Sequence, residues 1–177
     1  IEVIGNRAYL LTDGGFAGAD LRVVDIANPL QPAMLGIEYL GNSVTGMAMA
    51  GSNAIVLHSP NGVFGYFEIL DASDPTNITT TFSTSVSSSA PRSLAVKGDY
   101  AFIATNYSIQ SWDISTPAAP VLADTIPTGG GGPLNYAHPM AAVGDFLYCK
   151  LSGTGEYKIV DISDPTSLMH VSNLNGD

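Results

Sequence analysis

The hydrophobic and polar positions of this chain form short alternating runs that repeat about every 45 residues. Each repeat holds four runs rich in apolar, β-branched and aromatic residues, separated by glycine, proline and small polar residues. This pattern is typical of short β-strands joined by tight turns. The first runs lie at 1–4, 47–50, 93–96 and 140–143, and a Gly-Asn, Gly-Ser or Gly-Asp pair follows each of them. No stretch shows sustained helical periodicity, so the chain is predicted to be all β.

A five-residue signature separates the third run of each repeat from the fourth. It begins with Asp and ends with Pro, and its copies are DIANP at 25–29, DASDP at 71–75, DISTP at 113–117 and DISDP at 161–165. The Asp carboxylate is expected to accept backbone N–H bonds in the turn that follows. Because four equivalent acids spread around a ring cannot form one paired acid–base site, a structural role is predicted for them.

Four short antiparallel strands per repeat are the make-up of a β-propeller blade. Small Ala and Gly residues in the first run suit the innermost strand, where blades converge on a narrow axis. We therefore predict a single propeller domain or propeller fragment over 1–177, with blades at about 1–40, 41–85, 86–128 and 129–177. The four blades either close a ring by themselves or form an arc of a larger propeller. The arc is favoured, because a four-blade ring needs steeply inclined and tightly packed blades.

The third run and the signature together resemble the LVIVD repeat, a propeller repeat of bacterial and archaeal proteins. The similarity is good in LRVVDI at 21–26 and YKIVDISDP at 157–165. It is weaker in the second repeat, which has Leu70 and Ala72, and in the third, where Trp112 replaces the aliphatic residue before Asp. The resemblance implies a propeller fold and an extracellular or cell-surface setting. It supplies no general catalytic residues.

Charge and cysteine content narrow the classes of function. The chain has 16 acidic against 6 basic residues and a net charge of -10, which argues against nucleic acids and anionic membrane surfaces as partners. No apolar run approaches the length of a membrane-spanning helix. The one cysteine, Cys149, excludes an intrachain disulfide and is expected to be a buried, inert thiol. Abundant Gly, Ser, Thr and Asn with few lysines favour an extracellular location.

One mouth of the axial channel is the main candidate for a binding site. Three residues, Thr45, Arg92 and His138, stand the same number of positions before the glycine that precedes the second run of their repeat. They are therefore predicted to lie where the inner strands begin, at one end of the channel and beside Tyr136. In many propellers this mouth binds the ligand. The favoured alternative is that Arg92 and His138 hydrogen-bond neighbouring loops, because structural pairs are commoner than functional sites.

Extra residues in the first two repeats, at 12–20 and 58–65, are expected on the blade rims, where loops carry recognition. Asp13 and Asp20 flank a glycine-rich segment in the first of these and are weak candidates for calcium ligands. Their spacing matches no defined calcium loop, so a plain hairpin with polar tips is the favoured alternative.

The sequence therefore predicts a non-enzymatic extracellular or cell-surface module for protein interaction or structural assembly, with no catalytic residues and no cofactor. Its partners are expected to be other proteins, or further copies or blades of the same protein, because the flank of an incomplete ring is a large apolar patch. The alternatives are an enzyme with its site at the channel mouth, at Arg92, Tyr136 and His138, and a calcium-dependent adhesion module that uses Asp13 and Asp20.

Overall fold

A computed structural model of the chain describes residues 1–13, 18–41, 44–59, 64–87, 91–127, 140–150 and 156–174. These residues form sixteen strands in four antiparallel sheets of four strands, and each sheet follows the order of the sequence. The predicted all-β architecture of four propeller blades is confirmed. No helix in the described part of the chain is long and apolar enough to cross a membrane.

The four sheets are four consecutive blades. Blade 1 contains β1 (Glu2–Ile4), β2 (Arg7–Asp13), β3 (Ala19–Asp25) and β4 (Ala33–Gly41). Blade 2 contains β5 (Val44–Ala50), β6 (Asn53–His58), β7 (Gly65–Asp71) and β8 (Thr79–Ser87). Blade 3 contains β9 (Ser93–Lys97), β10 (Tyr100–Ala104), β11 (Ser108–Asp113) and β12 (Val121–Pro127). Blade 4 contains β13 (Met140–Val143), β14 (Phe146–Lys150), β15 (Tyr157–Asp161) and β16 (Met169–Leu174).

Each blade starts with a tight hairpin whose first turn residue is a glycine in the left-handed region. These glycines, with φ of 56, 60, 57 and 57°, are Gly5, Gly51, Gly98 and Gly144. In blade 1, Ile4 pairs directly with Arg7, so the turn holds two residues. Glycine has no Cβ and adopts this conformation without steric cost, which is why the Gly-Asn and Gly-Asp pairs mark the hairpins in the sequence.

The Asp–Pro signature forms the same turn in all four blades. The Asp carboxylate accepts the backbone N–H of the residue two positions later at 2.8–2.9 Å; the pairs are Asp25 with Ala27, Asp71 with Ser73, Asp113 with Ser115, and Asp161 with Ser163. The N–H directly after each Asp bonds back to the first hairpin, as Ile162 does to the Asp145 carbonyl at 2.8 Å. The backbone hydrogen bonds predicted for the signature Asp are confirmed.

Because of these turns, the stability of the fold is expected to depend on pH in the acidic range. In three of them a serine hydroxyl, and then the serine N–H, lower the pKa of the carboxyl of Asp71, Asp113 and Asp161. A carboxyl whose pKa is lower in the folded than in the unfolded chain stabilises the fold above the unfolded value of about 3.9. That stabilisation is lost as the pH falls through the lowered, folded-state value.

We therefore expect the free energy of unfolding, measured with urea, to change little from pH 7 to about 5 and to fall below about pH 4. The triple variant Ser73→Ala, Ser115→Ala, Ser163→Ala removes the hydroxyls near the three carboxyls and keeps the backbone N–H bonds, so the pKa of each carboxyl should lie closer to the unfolded value. This variant should lose less free energy of unfolding on acidification than the unchanged chain. An equal loss in both proteins would contradict the assignment.

Three apolar clusters join consecutive blades. Each blade has a trailing face, turned to the following blade, and a leading face, turned to the preceding one. Between blades 1 and 2 the trailing Tyr9, Leu21 and Val23 pack on the leading Ala54, Val56 and Leu70. Between blades 2 and 3, Ile55, Leu57 and Phe67 pack on Ala101 and Ile103. Between blades 3 and 4, Phe102 and Ile109 pack on Leu147, Cys149 and Val160. Among the described residues no apolar cluster joins blade 4 to blade 1, so the described parts of the four blades form an open arc.

Cys149 lies in the joint between blades 3 and 4. Its side chain is buried, and burial raises the pKa of the thiol to about 12. The thiolate, which is the reactive form, is therefore scarce at neutral pH. This agrees with the prediction of a buried, inert thiol.

Candidate functional site

Thr45 and Arg92, predicted at the channel mouth, lie close together at the start of adjacent inner strands. The Thr45 hydroxyl donates to the Pro91 carbonyl at 3.0 Å, so it ties β5 to the segment just before β9. The Arg92 Nε donates to the Asn106 Oδ1 at 3.0 Å. Both contacts agree with the structural alternative. Tyr136 and His138 lie outside the described residues, so their part in this site stays a prediction.

Part of the insertion expected on the rim of blade 1 lies in strands, and its residues 14–17 fall outside the described part of the chain. β2 extends to Asp13 and β3 begins at Ala19, and Thr12 pairs with Asp20 across the hairpin. Pairing continues because extension of the ladder satisfies backbone N–H and C=O groups that a loop would leave to solvent. The strand residues at the two ends of the insertion therefore lengthen the sheet. The side chain of Asp13 lies outside the described part of the structure.

The carboxylate of Asp20 is occupied by neighbouring donors. Arg22 donates to it through Nε at 2.8 Å and Nη2 at 2.9 Å, and the Thr12 hydroxyl donates to the same oxygen as Nε. The hydrogen bonds from Arg22 are the main reason that the pKa of Asp20 is lowered. The paired guanidinium offsets the negative charge that would attract a cation. Among the residues that the structure describes, no group of three or more His, Cys, Asp or Glu is placed to hold a metal.

A crevice of about 240 Å³ lies between blades 2 and 3, at the end of the inner strands opposite Thr45 and Arg92. Hairpin and signature turns line it, including Gly51, Asp99 and Ser115. It is smaller than the roughly 300–1,000 Å³ of most small-molecule sites.

A polar side chain on the third strand fastens each of the last two blades to the blade before it. Gln110 Nε2 donates to the Val86 carbonyl near the end of β8 at 2.9 Å. Lys158 Nζ donates to the Pro127 carbonyl at the end of β12 at 2.8 Å. Both residues lie three positions before the signature Asp and project from the leading face. We call this residue of each blade the strut position.

The strut position differs in the first two blades. In blade 2 it is Glu68, which lies 3.2 Å from His58 Nε2 and accepts a hydrogen bond from the Ser83 hydroxyl at 3.0 Å. The neighbouring His58 is the main reason that the pKa of Glu68 is lowered. In blade 1 the strut position is Arg22, which is a donor like Gln110 and Lys158. No described blade lies against the leading face from which Arg22 projects.

The leading face of blade 1 is an open apolar surface, which we call the head surface. The cross-strand register places these residues on it: Val3, Ala8, Leu10, Arg22, Val24, Met34, Ile37 and Tyr39. Val3, Met34 and Ile37 are 57, 50 and 40% exposed. Ala54, Val56 and Leu70, which occupy the positions of Ala8, Leu10 and Val24 in blade 2, are fully buried.

The trailing face of blade 4 is the second open surface, which we call the tail surface. It is formed by Ala141, Val143, Phe146, Tyr148, Tyr157 and Ile159, and Lys150 lies on the same face opposite Tyr157. Tyr148 and Tyr157 are 38 and 43% exposed. The residues at their positions in the other blades are at most 3% exposed; they are Tyr9, Ile55 and Phe102 for Tyr148, and Leu21, Phe67 and Ile109 for Tyr157. The arc therefore ends in two largely apolar surfaces, each of which also carries a basic residue, Arg22 on the head surface and Lys150 on the tail surface.

Large exposed apolar patches are found at contacts with proteins or membranes and in ligand-binding grooves. The sequence predicted an apolar flank, but it did not single out Arg22, Tyr148 or Tyr157. An alignment of the four repeats could have identified the two tyrosines. Tyr148 and Tyr157 stand at positions that are buried between blades elsewhere in the arc, and no described blade follows theirs.

Three solved structures resemble the fold. A protein from Lactobacillus plantarum has a TM-score of 0.77 and 17% identity, with 98% of this chain and 54% of that one covered. A Bacteroides uniformis protein provisionally assigned as a 6-phosphogluconolactonase has a TM-score of 0.75 and 13% identity, with 98% and 55% covered. The computationally designed Ika8 protein has a TM-score of 0.70 and 14% identity, with 99% and 48% covered. The chain spans about half the length of each, and identities this low show the fold alone.

No curated protein matched the chain in a comparison of sequences. The model of the LVIVD repeat matches residues 1–38, 90–128 and 136–175, which is more than half of the chain. The matches fall on blades 1, 3 and 4 and omit blade 2, whose Leu70 and Ala72 depart from the repeat. Together with the four blades and the repeated Asp turns, they show that the chain belongs to the LVIVD-repeat family.

Proposed function

We propose that this chain is a non-enzymatic interaction and structural module of an extracellular or cell-surface protein. Rigidly packed blades present the head and tail surfaces to protein partners. The observation that carries the proposal is the exposure of Tyr148 and Tyr157 at positions that are buried in every joint within the arc. Burial of apolar surface is the dominant favourable term in most protein association, so a partner that covers these side chains gains free energy.

The contacts of the polar residues support a role without catalysis. The signature aspartates hold turns, Thr45 and Arg92 tie strands and loops together, and Asp20 is paired with Arg22. Each of these contacts holds a turn, a strand, a loop or a neighbouring side chain in position. The lactonase assignment of the Bacteroides uniformis protein is not transferred to this chain, because 13% identity shows only a common fold.

Composition supports the extracellular or cell-surface location. The chain has 6 Lys and Arg residues against 16 Asp and Glu, and its Gly, Ser, Thr and Asn content is high. The net charge of -10 favours solubility in the absence of a partner. If the location is right, a protease added to intact producing cells will digest the protein, while a cytoplasmic marker stays intact. Protection of the protein until the cells are lysed would contradict the location.

Site-specific photo-crosslinking tests whether the tail surface meets a protein. A photoreactive phenylalanine derivative replaces Tyr157 in the protein within producing cells, and the matched control carries it in place of Tyr107. Tyr107 is 63% exposed but lies in the turn between β10 and β11, away from both open surfaces. We expect crosslinks from position 157, mapped by mass spectrometry to an identified protein, and none from position 107. Equal crosslinking at both positions, or none at 157, would contradict the proposal.

We expect calcium to leave the thermal stability of this module unchanged. Asp20, the described residue of the candidate calcium pair, is already held by Arg22 and Thr12. The melting temperature should be the same in millimolar calcium, in magnesium and in a chelator. An Asp20→Asn variant should melt slightly lower, equally in all three conditions, because it weakens the pair with Arg22. A calcium-dependent rise in melting temperature that Asp20→Asn abolishes would support the adhesion alternative instead.

A further inference from the structure

We propose that the head surface of one copy of this chain binds the tail surface of a second copy, so that two arcs close one ring. The inference rests on the proposed function, since it names the partner of the same two surfaces. Two arcs of four blades give a ring at the upper end of the roughly four to eight blades of known propellers.

The joints within the arc are the template for this contact. In each of the three, the trailing face of one blade packs on the leading face of the next. The tail surface is a trailing face and the head surface is a leading face. The tail of one copy and the head of another are therefore the two halves of a joint that the chain already makes three times.

Around Tyr148, the side-chain sizes on the two surfaces match those of the joint between blades 1 and 2. Between blades 1 and 2, the trailing Tyr9 packs in a cluster with the leading Ala54 and Val56. Tyr148 occupies the position of Tyr9 on the tail surface. Ala8 and Leu10 occupy the positions of Ala54 and Val56 on the head surface. In the second copy, Tyr148 thus meets a small and an aliphatic side chain, as Tyr9 does within the arc.

Arg22 supplies the polar part of the contact. At the strut position, Gln110 and Lys158 donate to a carbonyl near the end of the outer strand of the preceding blade. A guanidinium has five N–H donors, and Arg22 directs Nε and Nη2 to Asp20. Its remaining donors reach the corresponding carbonyls at the end of β16 of the second copy. Asp20 holds the guanidinium on the head surface and balances its charge.

When copies bind through two different surfaces, they form a closed ring only if the rotation between neighbouring copies leads back to the first copy. Otherwise they form a filament. Closure after two copies is supported by the blade count, since two arcs of four blades stay within the roughly four to eight blades of known propellers. The two contacts of such a dimer are identical and related by a twofold axis.

The test is the solution mass of the chain, measured by light scattering over a range of concentrations. We expect twice the 18.4 kDa of a single copy at high concentration, with dissociation on dilution. Tyr157→Glu on the tail surface and Ile37→Glu on the head surface place a charge in the contact, and each should give 18.4 kDa throughout. Tyr107→Glu, the matched control outside both surfaces, should associate like the unchanged chain. Circular dichroism checks that all variants are folded.

Mixing the two single variants distinguishes a head-to-tail contact from contact between like surfaces. A mixed dimer contains one unaltered contact, between the intact tail of the Ile37→Glu copy and the intact head of the Tyr157→Glu copy. We expect partial recovery of the dimer mass in the mixture. A monomer at all concentrations, a filament, a mixture that stays monomeric, or dissociation by Tyr107→Glu would each overturn the inference. Crosslinking of position 157 to a different protein would support the proposed function while overturning the second copy as its partner.

Discussion

Replacement of Phe67 by Ala is expected to lower the free energy of unfolding by about 3–5 kcal/mol. The Phe67 side chain is fully buried in β7, and its ring centroid lies 5.6 Å from that of Phe82 and 5.0 Å from that of Trp112. Trp112 belongs to blade 3, so Phe67 holds the joint between blades 2 and 3. Its removal leaves a cavity that the flanking sheets cannot fill without moving, and urea unfolding monitored by circular dichroism measures the loss.

The adjacent residue of the same strand is the matched control. Tyr66 is 39% exposed, so Tyr66→Ala removes an aromatic ring of similar size from a partly solvated position. Its expected cost is about 1 kcal/mol or less. If the two variants lost the same free energy of unfolding, the ring of Phe67 would not be the centre of a packed joint.

Gly36→Ala is expected to disrupt the joint between blades 1 and 2. A Cβ built on Gly36 lies 1.6 Å from the Pro75 carbonyl oxygen and 2.7 Å from its carbonyl carbon, both in the signature turn of blade 2. Because these atoms are backbone, the outer strand of blade 1 or the turn itself must shift to admit a methyl group. Overpacking of this kind costs about 1–3 kcal/mol or more. The melting temperature should fall accordingly.

Gly46→Ala provides the comparison for Gly36→Ala. A Cβ at Gly46 meets the Leu57 Cδ1 at 3.6 Å, which is ordinary van der Waals contact. Alanine lowers the conformational entropy of the unfolded chain, so this variant should be neutral or more stable by up to about 1 kcal/mol. A loss of stability as large as that of Gly36→Ala would mean that the close approach of Gly36 to Pro75 does not govern the effect.

The blades could be predicted from the sequence because their signals are local. A hairpin glycine and a signature Asp each act on residues within a few positions, as in the bond from the Ser115 N–H to Asp113. The same logic explains blade 2, which the family model does not match. Its turn depends on Asp71 and Ser73, which are present, and Leu70 and Ala72 fill the joint with blade 1.

The candidate site was less accessible to sequence reasoning, because it depends on contacts between distant segments. Arg22 was not singled out, because its proposed role is inferred from the equivalent residues Gln110 and Lys158. Their hydrogen bonds to carbonyls of the preceding blade are visible only in the structure. Asp20 was interpreted as a calcium candidate because its segment was expected to be a loop. In β3, residues two positions apart share a face, which places Asp20 beside Arg22. How far β3 extends depends on pairing with β2 along the hairpin, which spacing alone does not specify.

Hydroxyl-radical footprinting at several protein concentrations tests the central claim that the open ends of the arc are contact surfaces. At low concentration Tyr148 and Tyr157 should be oxidised readily, whereas Tyr9, which is 3% exposed, should be protected. As the concentration rises, Tyr148 and Tyr157 should become protected while Tyr107 stays reactive. Protection of both tyrosines at every concentration in a chain whose solution mass stays at 18.4 kDa would mean that four blades close their own ring. Unchanged reactivity at every concentration would mean that the tail surface does not bind a second copy.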